Sequence, residues 1–408
     1  MLDPAMSEID SGFSWWWTTW FFLIPFGLPL THGLVISDLP AIALILTSII
    51  GIIKGNAIRF SKTEACFVFF VGCSLLGGEI TRVPAFYLYE LSAVLFLFVC
   101  FKISANFLQS KKRLEHAVRL TGNAVALHLL INTIVIASHN FLGFEFNSFF
   151  SGGEKLSWPF AFSGQLGISL TIIFPLAVCS RNFTTLQRFL LHVVFLLNTG
   201  ATASRSVFWL SLCEVLYLEF VVYTQMSSVR KIFKALLLLC VVGLLIMFFG
   251  ESYNFQRSLG QVETSPLLFD EPRLETLRDA LRTLPTWLQG YGLGCFKAFH
   301  DLEIHNTPLS ILVETGFAGF VATTMFISTI FLCFWRARKK AVILLWHGLF
   351  MSFVAVLVNA MFRNLVTSRI CWFILALCYC HRHLQQEKQQ PVAADNPTRE
   401  LKLQPTQQ

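Results

Sequence analysis

Runs of apolar residues recur along the whole chain. Each is near the ~20 residues that an α-helix needs to cross the hydrocarbon core of a bilayer. In hydrocarbon an unpaired backbone N–H or C=O is costly, so only helices and closed barrels span a membrane. A barrel requires short alternating strands, and the sequence has none. An all-α, polytopic helical membrane protein is therefore expected. Composition agrees: the chain is 55% hydrophobic and 13% charged, with 42 Phe and 10 Trp in 408 residues. No soluble fold of this size would bury so much apolar surface. About twelve spans are expected, near 15–30, 38–53, 64–80, 84–101, 121–139, 161–179, 186–202, 206–224, 232–249, 307–334, 341–360 and 364–381. Residues 1–249 would hold helices 1–9 and residues 307–383 helices 10–12. Residues 250–306 would form a large external loop, and the Gln- and Pro-rich tail 384–408 reads as disordered. The start carries Asp3, Glu8 and Asp10 before any Lys or Arg. That is no standard signal peptide, and the first span is expected to stay attached.

The connecting charges fall on alternate loops. One set holds Lys54, Arg59 and Lys62; then Lys102, Lys111, Lys112, Arg113 and Arg119; then Arg181 and Arg188; then Arg230, Lys231 and Lys234; then Arg336, Arg338, Lys339 and Lys340. The tail adds Arg382, Lys388, Arg399 and Lys402, so 21 of the 31 basic residues share one side. By the positive-inside rule that side is cytoplasmic, and both termini lie on it. The net charge of +7 is thus a topology signal, not a nucleic-acid footprint. Most of the eleven cysteines, such as Cys66, Cys100, Cys240, Cys333 and Cys371, sit in apolar runs and act as small apolar residues. Cys378 and Cys380 are too close for a metal-binding pair. Two external segments are long. Residues 140–160, with Trp158 and several Phe, suit the membrane interface, and a loop of the size of 250–306 is usually functional.

The informative cations are those on the other side: Arg82, Lys155, Arg205, Arg257, Arg273, Arg278, Arg282, Lys297, Arg363 and Arg369. Arg205 follows a small-residue break, Asn198 to Ser204, with Ser204 placed to cap the next helix. The macrodipole disfavours a cation in a first turn, unless an anion is shared with the helix terminus. Residues 271–284 read as a short amphipathic helix with an apolar stripe of Leu274, Leu277, Leu281 and Leu284. At about 100° per residue, Arg273 lies roughly 60° from the stripe centre and Arg282 about 120°. Arg273 can reach a cleft beneath the loop, Arg282 points to water, and Arg278 is intermediate.

The sequence Gly290-Tyr291-Gly292-Leu293-Gly294 leads to His305-Asn306 and straight into an apolar helix. Glycines allow close backbone approach to a ligand, and a neutral imidazole at a membrane surface can move a proton. The competing reading makes His305 and Asn306 a helix cap. Glu314, about two and a half turns on, can fix that helix's register. The His300-to-His305 stretch has no third ligand set for zinc. Glu90, Glu214, Glu219, Glu314 and Arg369 fall within spans, where ionisable residues are functional candidates or pair with one another. They keep open a different class, a lipid-glycan flippase or secondary transporter, although no internal repeat of the kind such folds use is found.

Over residues 198–330 the Ser204-Arg205 turn, the Arg273-Leu274 helix, the glycine stretch, His305-Asn306, Glu314, Gly316 and Gly319 resemble the O-antigen ligase family, whose signature is shared with O-antigen and exopolysaccharide polymerases. The resemblance implies a GT-C-like, metal-independent, inverting glycosyltransferase of the Gram-negative inner membrane, with its site facing the periplasm and no cofactor. Its donor would be a glycan on undecaprenyl diphosphate. Its acceptor would be a lipid A-core sugar for a ligase, or another glycan for a polymerase. Carried onto this chain, it makes Arg205 and Arg273 the diphosphate ligands and His305 the catalytic residue. Arg82, Arg278, Tyr291, Gly292 and Asn306 are the substrate-binding candidates, and Glu314 is structural support.

Overall fold

The computed structural model describes residues 15–31, 34–53, 61–78, 80, 82–142, 144, 149–151, 155–160, 163–180, 183–223, 243, 276, 278–280, 282, 289–300, 304–338 and 343–380. The longer helices are α1 (Trp15–Leu23), α2 (Asp38–Ile53), α3 (Lys62–Ser74), α4 (Pro84–Phe107), α5 (Lys111–Leu142), α6 (Ser163–Cys179), α7 (Thr185–Ala201) and α8 (Arg205–Tyr217). A π-helical turn, Leu218–Val222, extends α8. Then come the short α9 (Cys295–His300), α10 (Thr307–Ala337), α11 (Ile343–Ala360) and α12 (Arg369–Cys380). Helices occupy eleven of the twelve stretches expected to be spans; of 232–249 only Gly243 is among the described residues. Pro84–Phe107, Lys111–His139 and Thr307–Ala337 are long and apolar enough to cross a membrane by length and composition. The chain is an all-α membrane protein.

Local chemistry sets the helix starts. Ser61 with Glu64 begins α3, and Thr184 with Gln187 begins α7; each pair closes a capping box that satisfies first-turn amides. Three expectations change. α5 begins at Lys111, so the basic stretch expected as a loop is helical; long cationic side chains can snorkel from a helix end. The segment 140–160 holds a small antiparallel hairpin, β3 (Phe150–Ser151) with β4 (Lys155–Leu156). A second hairpin, β1 (Pro29–Thr31) with β2 (Leu34–Val35), joins α1 to α2. The tenth span is also broken, as described below.

Helix α12 occupies the centre. Every residue from Ile370 to Cys380 is buried, against α4, α10, α11 and α6. Lipid tails are as apolar as leucine, so burial in a bilayer gives little net drive, and packing plus interhelical hydrogen bonds must hold the bundle. Aromatic rings supply much of that packing. Phe67 stacks on Phe98 at 3.7 Å between centroids, and Phe174 on Phe195 at 3.7 Å; such pairs give about 0.5–1.5 kcal/mol each. Polar ties add to them. Asn198 donates to Thr133 at 2.9 Å, Asn359 to Thr171 at 3.1 Å, and Lys102 pairs with Glu64 at 2.5 Å.

Candidate functional site

The tenth expected span is two helices in one. At Gly316 the backbone turns to φ 71°, ψ 179°, inside α10. A break of this kind frees carbonyls that an intact helix would satisfy, which hydrocarbon does not tolerate. The glycine-rich turn supplies the missing donors. Tyr291 N–H donates to the Val313 carbonyl at 3.0 Å, and Gly292 N–H to the Glu314 carbonyl at 2.7 Å. On its other side the Gly290 carbonyl accepts from Gly78 N–H at 3.1 Å. The turn thus bridges the end of α3 and the break in α10. Gly290 has φ +73°, and a Cβ there would come within 2.5 Å of the Gly316 nitrogen and 2.6 Å of the Glu314 oxygen. The close approach inferred from sequence is therefore backbone to backbone. Glu314 is buried and its carbonyl anchors the turn, consistent with a structural role.

His305 lies between two anchors. Ile304 before it is buried with Ala280, Phe296 and Val313, and Tyr291 and Leu309 pack on that cluster. Asn306 after it caps α10: its Oδ1 accepts from Leu309 N–H at 2.9 Å, and its Nδ2 donates to the Met361 carbonyl at 3.0 Å. Asn306 is thus the cap of the pair. Thr307 Oγ1 donates to the Arg363 carbonyl at 2.6 Å and accepts from Leu365 N–H at 2.9 Å. Asn364 Nδ2 donates to Ser310 Oγ at 3.3 Å. The connection between α11 and α12 is therefore hung on the first turn of α10.

His305 faces a cavity of about 460 Å³. Ser37, Gly164, Gln165, Asn364, Thr367 and Ser368 supply polar lining, and Arg363 and Arg369 supply charge. Ile24, Phe26 and Phe160 close its apolar wall, and among the described lining residues none is acidic. Four helices begin here: α2 after Ser37, α6 at Gly164, α10 after His305 and α12 at Arg369. Each brings roughly half a positive charge from its macrodipole. Arg369 is held by Asp38, Nε to Oδ1 at 2.7 Å and Nη2 to Oδ2 at 2.6 Å. Asp38 also accepts from Val35 N–H at 2.9 Å. Arg363 lies against the first turn of α6, where a Cβ on Gly164 would come within 2.6 Å of its Nη2. Across Leu365 lies an apolar groove of about 100 Å³, lined by Phe67, Phe70, Ile311, Phe326, Val356 and Leu375 among others.

Arg205 opens α8 as expected, but Ser204 makes no side-chain cap bond. Ala203, at φ +55°, turns the chain between α7 and α8. Thr202 and Val207, on either side of Arg205, pack at Gly167, one turn along α6 from Gly164. The Arg205 turn therefore stands at the same end of α6 as the cavity, without lining it. Arg273 lies outside the described residues. In its expected helix, Thr276 and Ala280 are buried and Arg278 is exposed. Ala280 brings that helix against Ile304, next to His305. Arg282 is exposed and pairs with Asp279 at 3.6 Å, and Arg82 is exposed.

Two residues of the cavity were under-read. Arg363 appears in the sequence only as one of ten cations on the unexpected side of the membrane, and Arg369 both as one of these and as an ionisable residue within a span; those were the available signals. The buried charges divide. Glu219 pairs with Arg188 at 3.6 Å and with His192 at 3.3 Å. Glu90 packs beside Gly294. Neither carboxyl oxygen of Glu214 has a hydrogen-bond partner among the described residues. Among the described residues no group of three or more His, Cys, Asp or Glu is arranged for a metal ion. No protein-family model matches this chain, and no curated protein matches it.

Proposed function

We propose that the protein is an inner-membrane glycosyltransferase of the O-antigen ligase kind, moving a glycan from undecaprenyl diphosphate to a lipid A-core sugar on the periplasmic side. The observation that carries this reading is His305, fixed between two anchors and facing an open cationic cavity where four helices begin. The acceptor hydroxyl attacks the anomeric carbon in line, its proton passes to the neutral imidazole of His305, and the bond to the lipid diphosphate breaks with inversion. Arg205 and Arg273 hold the departing diphosphate bidentately and stabilise the charge that develops on it. The apolar groove beside the cavity suits the lipid's hydrocarbon chain. In sequence each of the four helices leads from the cavity to a basic stretch, and the positive-inside rule makes this an argument for an external cavity.

The break in α10 is the observation that favours a transporter, because such folds bind ions and substrates at discontinuous helices. Here Tyr291 and Gly292 bond the carbonyls at the break, so that argument weakens. The test is purified protein in detergent with lipid-linked glycan and lipid A-core. Transfer without a sealed bilayer, persisting in EDTA, is the expected result. His305→Ala should lower the rate about 10²–10⁴-fold with an unchanged melting temperature. Asn306→Ala should instead lower stability by about 1 kcal/mol and spare the rate per folded molecule. A full rate in folded His305→Ala removes the histidine from the mechanism. In cells, loss of a ligase leaves full-length polymer on the lipid carrier and bare lipid A-core, whereas loss of a polymerase leaves single repeat units on lipid A-core.

A further inference from the structure

Glu214, on α8, takes no part in the cavity around His305. It is fully buried, and neither carboxyl oxygen has a hydrogen-bond partner among the described residues. Buried polar groups are normally bonded, and an exception calls for an explanation such as a bound ion or a catalytic role. An unpaired carboxylate is costlier still within a membrane span. The neighbouring helices fix its level. Val207 packs at Gly167 of α6, and Tyr223 Oη donates to the Val178 carbonyl at 3.3 Å. Glu214 lies between Val207 and Tyr223, so it stands level with the stretch of α6 from Thr171 to Pro175. Pro175 is inside α6 and lacks the amide that would bond the Thr171 carbonyl. On α11, Gly348 packs on Cys179 and the Pro175 carbonyl. One turn further, Ser352 is fully buried, and its hydroxyl has no hydrogen-bond partner among the described residues. Tyr217, three residues after Glu214, ties α8 to α11, its hydroxyl 2.7 Å from His347 Nδ1. Three helices thus bring under-bonded polar groups to one level of the bundle.

Glu219 follows five residues on, about 7.5 Å along the helix axis, inside the π-helical turn. Its carboxylate lies 3.3 Å from His192 Nδ1 and 3.6 Å from Arg188 Nε. Single π-turns are frequent at functional sites, and chains of Glu and His within spans are the parts of proton relays. The other titratable groups on the elements packed around Glu214 are Cys179 on α6 and His347 on α11, with Cys213, Tyr217 and Tyr223 on its own segment. We propose that Glu214 is an intramembrane proton-binding site, loaded from the side of the Glu219–His192 pair. A hard metal cation draws about six or more oxygens around it. No hydroxyl or amide among the described residues is within bonding distance of the Glu214 carboxyl, whereas a proton needs the carboxyl alone. The proton adds to one carboxylate oxygen and cancels its charge, and no bond between heavy atoms forms or breaks. The site is independent of the transferase reading.

Infrared difference spectroscopy of the purified full-length protein in nanodiscs tests this, with wild type set against Glu214→Gln in neutral buffer. A protonated carboxyl has a C=O stretch well apart from the carboxylate bands. Wild type should show that band, and Glu214→Gln should lose it. Glu214→Asp should keep a shifted band, which covers the case in which Glu214→Gln does not fold. In deuterium oxide the band should move as deuterium replaces the proton. Glu219→Gln and His192→Gln should each slow that exchange, and Arg282→Gln should leave it unchanged. A Glu214 signal found in the carboxylate bands overturns the proposal. So does a protonated band that vanishes when sodium chloride replaces choline chloride, which would make this a sodium site. A band that never moves in deuterium oxide marks a sealed structural acid and also overturns it. Exchange as fast in Glu219→Gln and His192→Gln as in wild type overturns the loading route.

Discussion

Replacing Gly290 by alanine tests whether the glycine-rich turn is a structural plug in α10. Two costs can be read from the geometry. A residue with a Cβ held at positive φ loses about 1–2 kcal/mol, and Gly290 sits at φ +73°. The new methyl would also meet the Gly316 nitrogen at 2.5 Å and the Glu314 oxygen at 2.6 Å, both backbone atoms that cannot rotate away. Relief requires the turn to withdraw by roughly 1 Å, which takes bonds of 2.7 and 3.0 Å out of hydrogen-bonding range. Each buried group left unsatisfied costs about 1–3 kcal/mol. The expected loss is therefore roughly 3–8 kcal/mol, well above that of an ordinary substitution. The assay is thermal unfolding of the detergent-purified protein, followed by tryptophan fluorescence. Gly72→Ala is the matched control. It lies within α3 with no atom within 4 Å of the added methyl, and should gain about 0.5–1 kcal/mol. If Gly290→Ala unfolds within about 0.5 kcal/mol of wild type while the control behaves, the turn is not bearing on α10 and the bridging account is wrong.

Asp38→Asn keeps the bond to Val35 but leaves the Arg369 guanidinium without its bidentate carboxylate. Because the arginine is partly solvated, the loss should be about 2 kcal/mol rather than the full value of a buried pair, and thermal unfolding of the purified variant measures it. Arg205→Lys should abolish most transfer at normal protein levels, since an ammonium lacks the planar fork that grips two phosphate oxygens; full activity would exclude bidentate binding there. Single cysteines on a cysteine-free background should react with an impermeant reagent in intact cells near residue 265 but not near 337. The reverse pattern would place the cavity on the cytoplasmic side.

The helices were legible because lipid imposes one rule on every span: a long apolar run with its backbone bonded internally. The break at Gly316 was not. A lone glycine in an apolar run is compatible with an intact helix, and nothing nearby in sequence shows that Tyr291 and Gly292 will take its carbonyls. The backbone contacts of the glycine stretch with the Gly316 break were not legible, because sequence shows freedom of the backbone and not what comes near it. Asp38 and Arg369 are 331 residues apart, so their pairing depended on tertiary structure. Arg363 stood out only as a misplaced charge and Arg369 also as a charge within a span; their convergence with His305 needed the hanging of the α11–α12 connection on Thr307 and Ser310. Arg278 illustrates the limit of periodicity, since its face was ambiguous and proves exposed.

The central position of α12 has a consequence for how the protein is made. Synthesis proceeds at about 5–20 residues per second and earlier segments settle first. Helices α1 to α11 therefore enter the membrane before the helix that fills the space among α4, α6, α10 and α11 has left the ribosome. Until then, rings such as Phe101 and Phe326 must face lipid or one another across a vacant slot. The arrival of α12 also brings Arg369 to Asp38, so the same event closes the bundle and completes one wall of the cavity. A chain interrupted before residue 369 would insert with most of its spans in place and still lack a closed site. Such a product would be an open bundle, distinct from the finished fold.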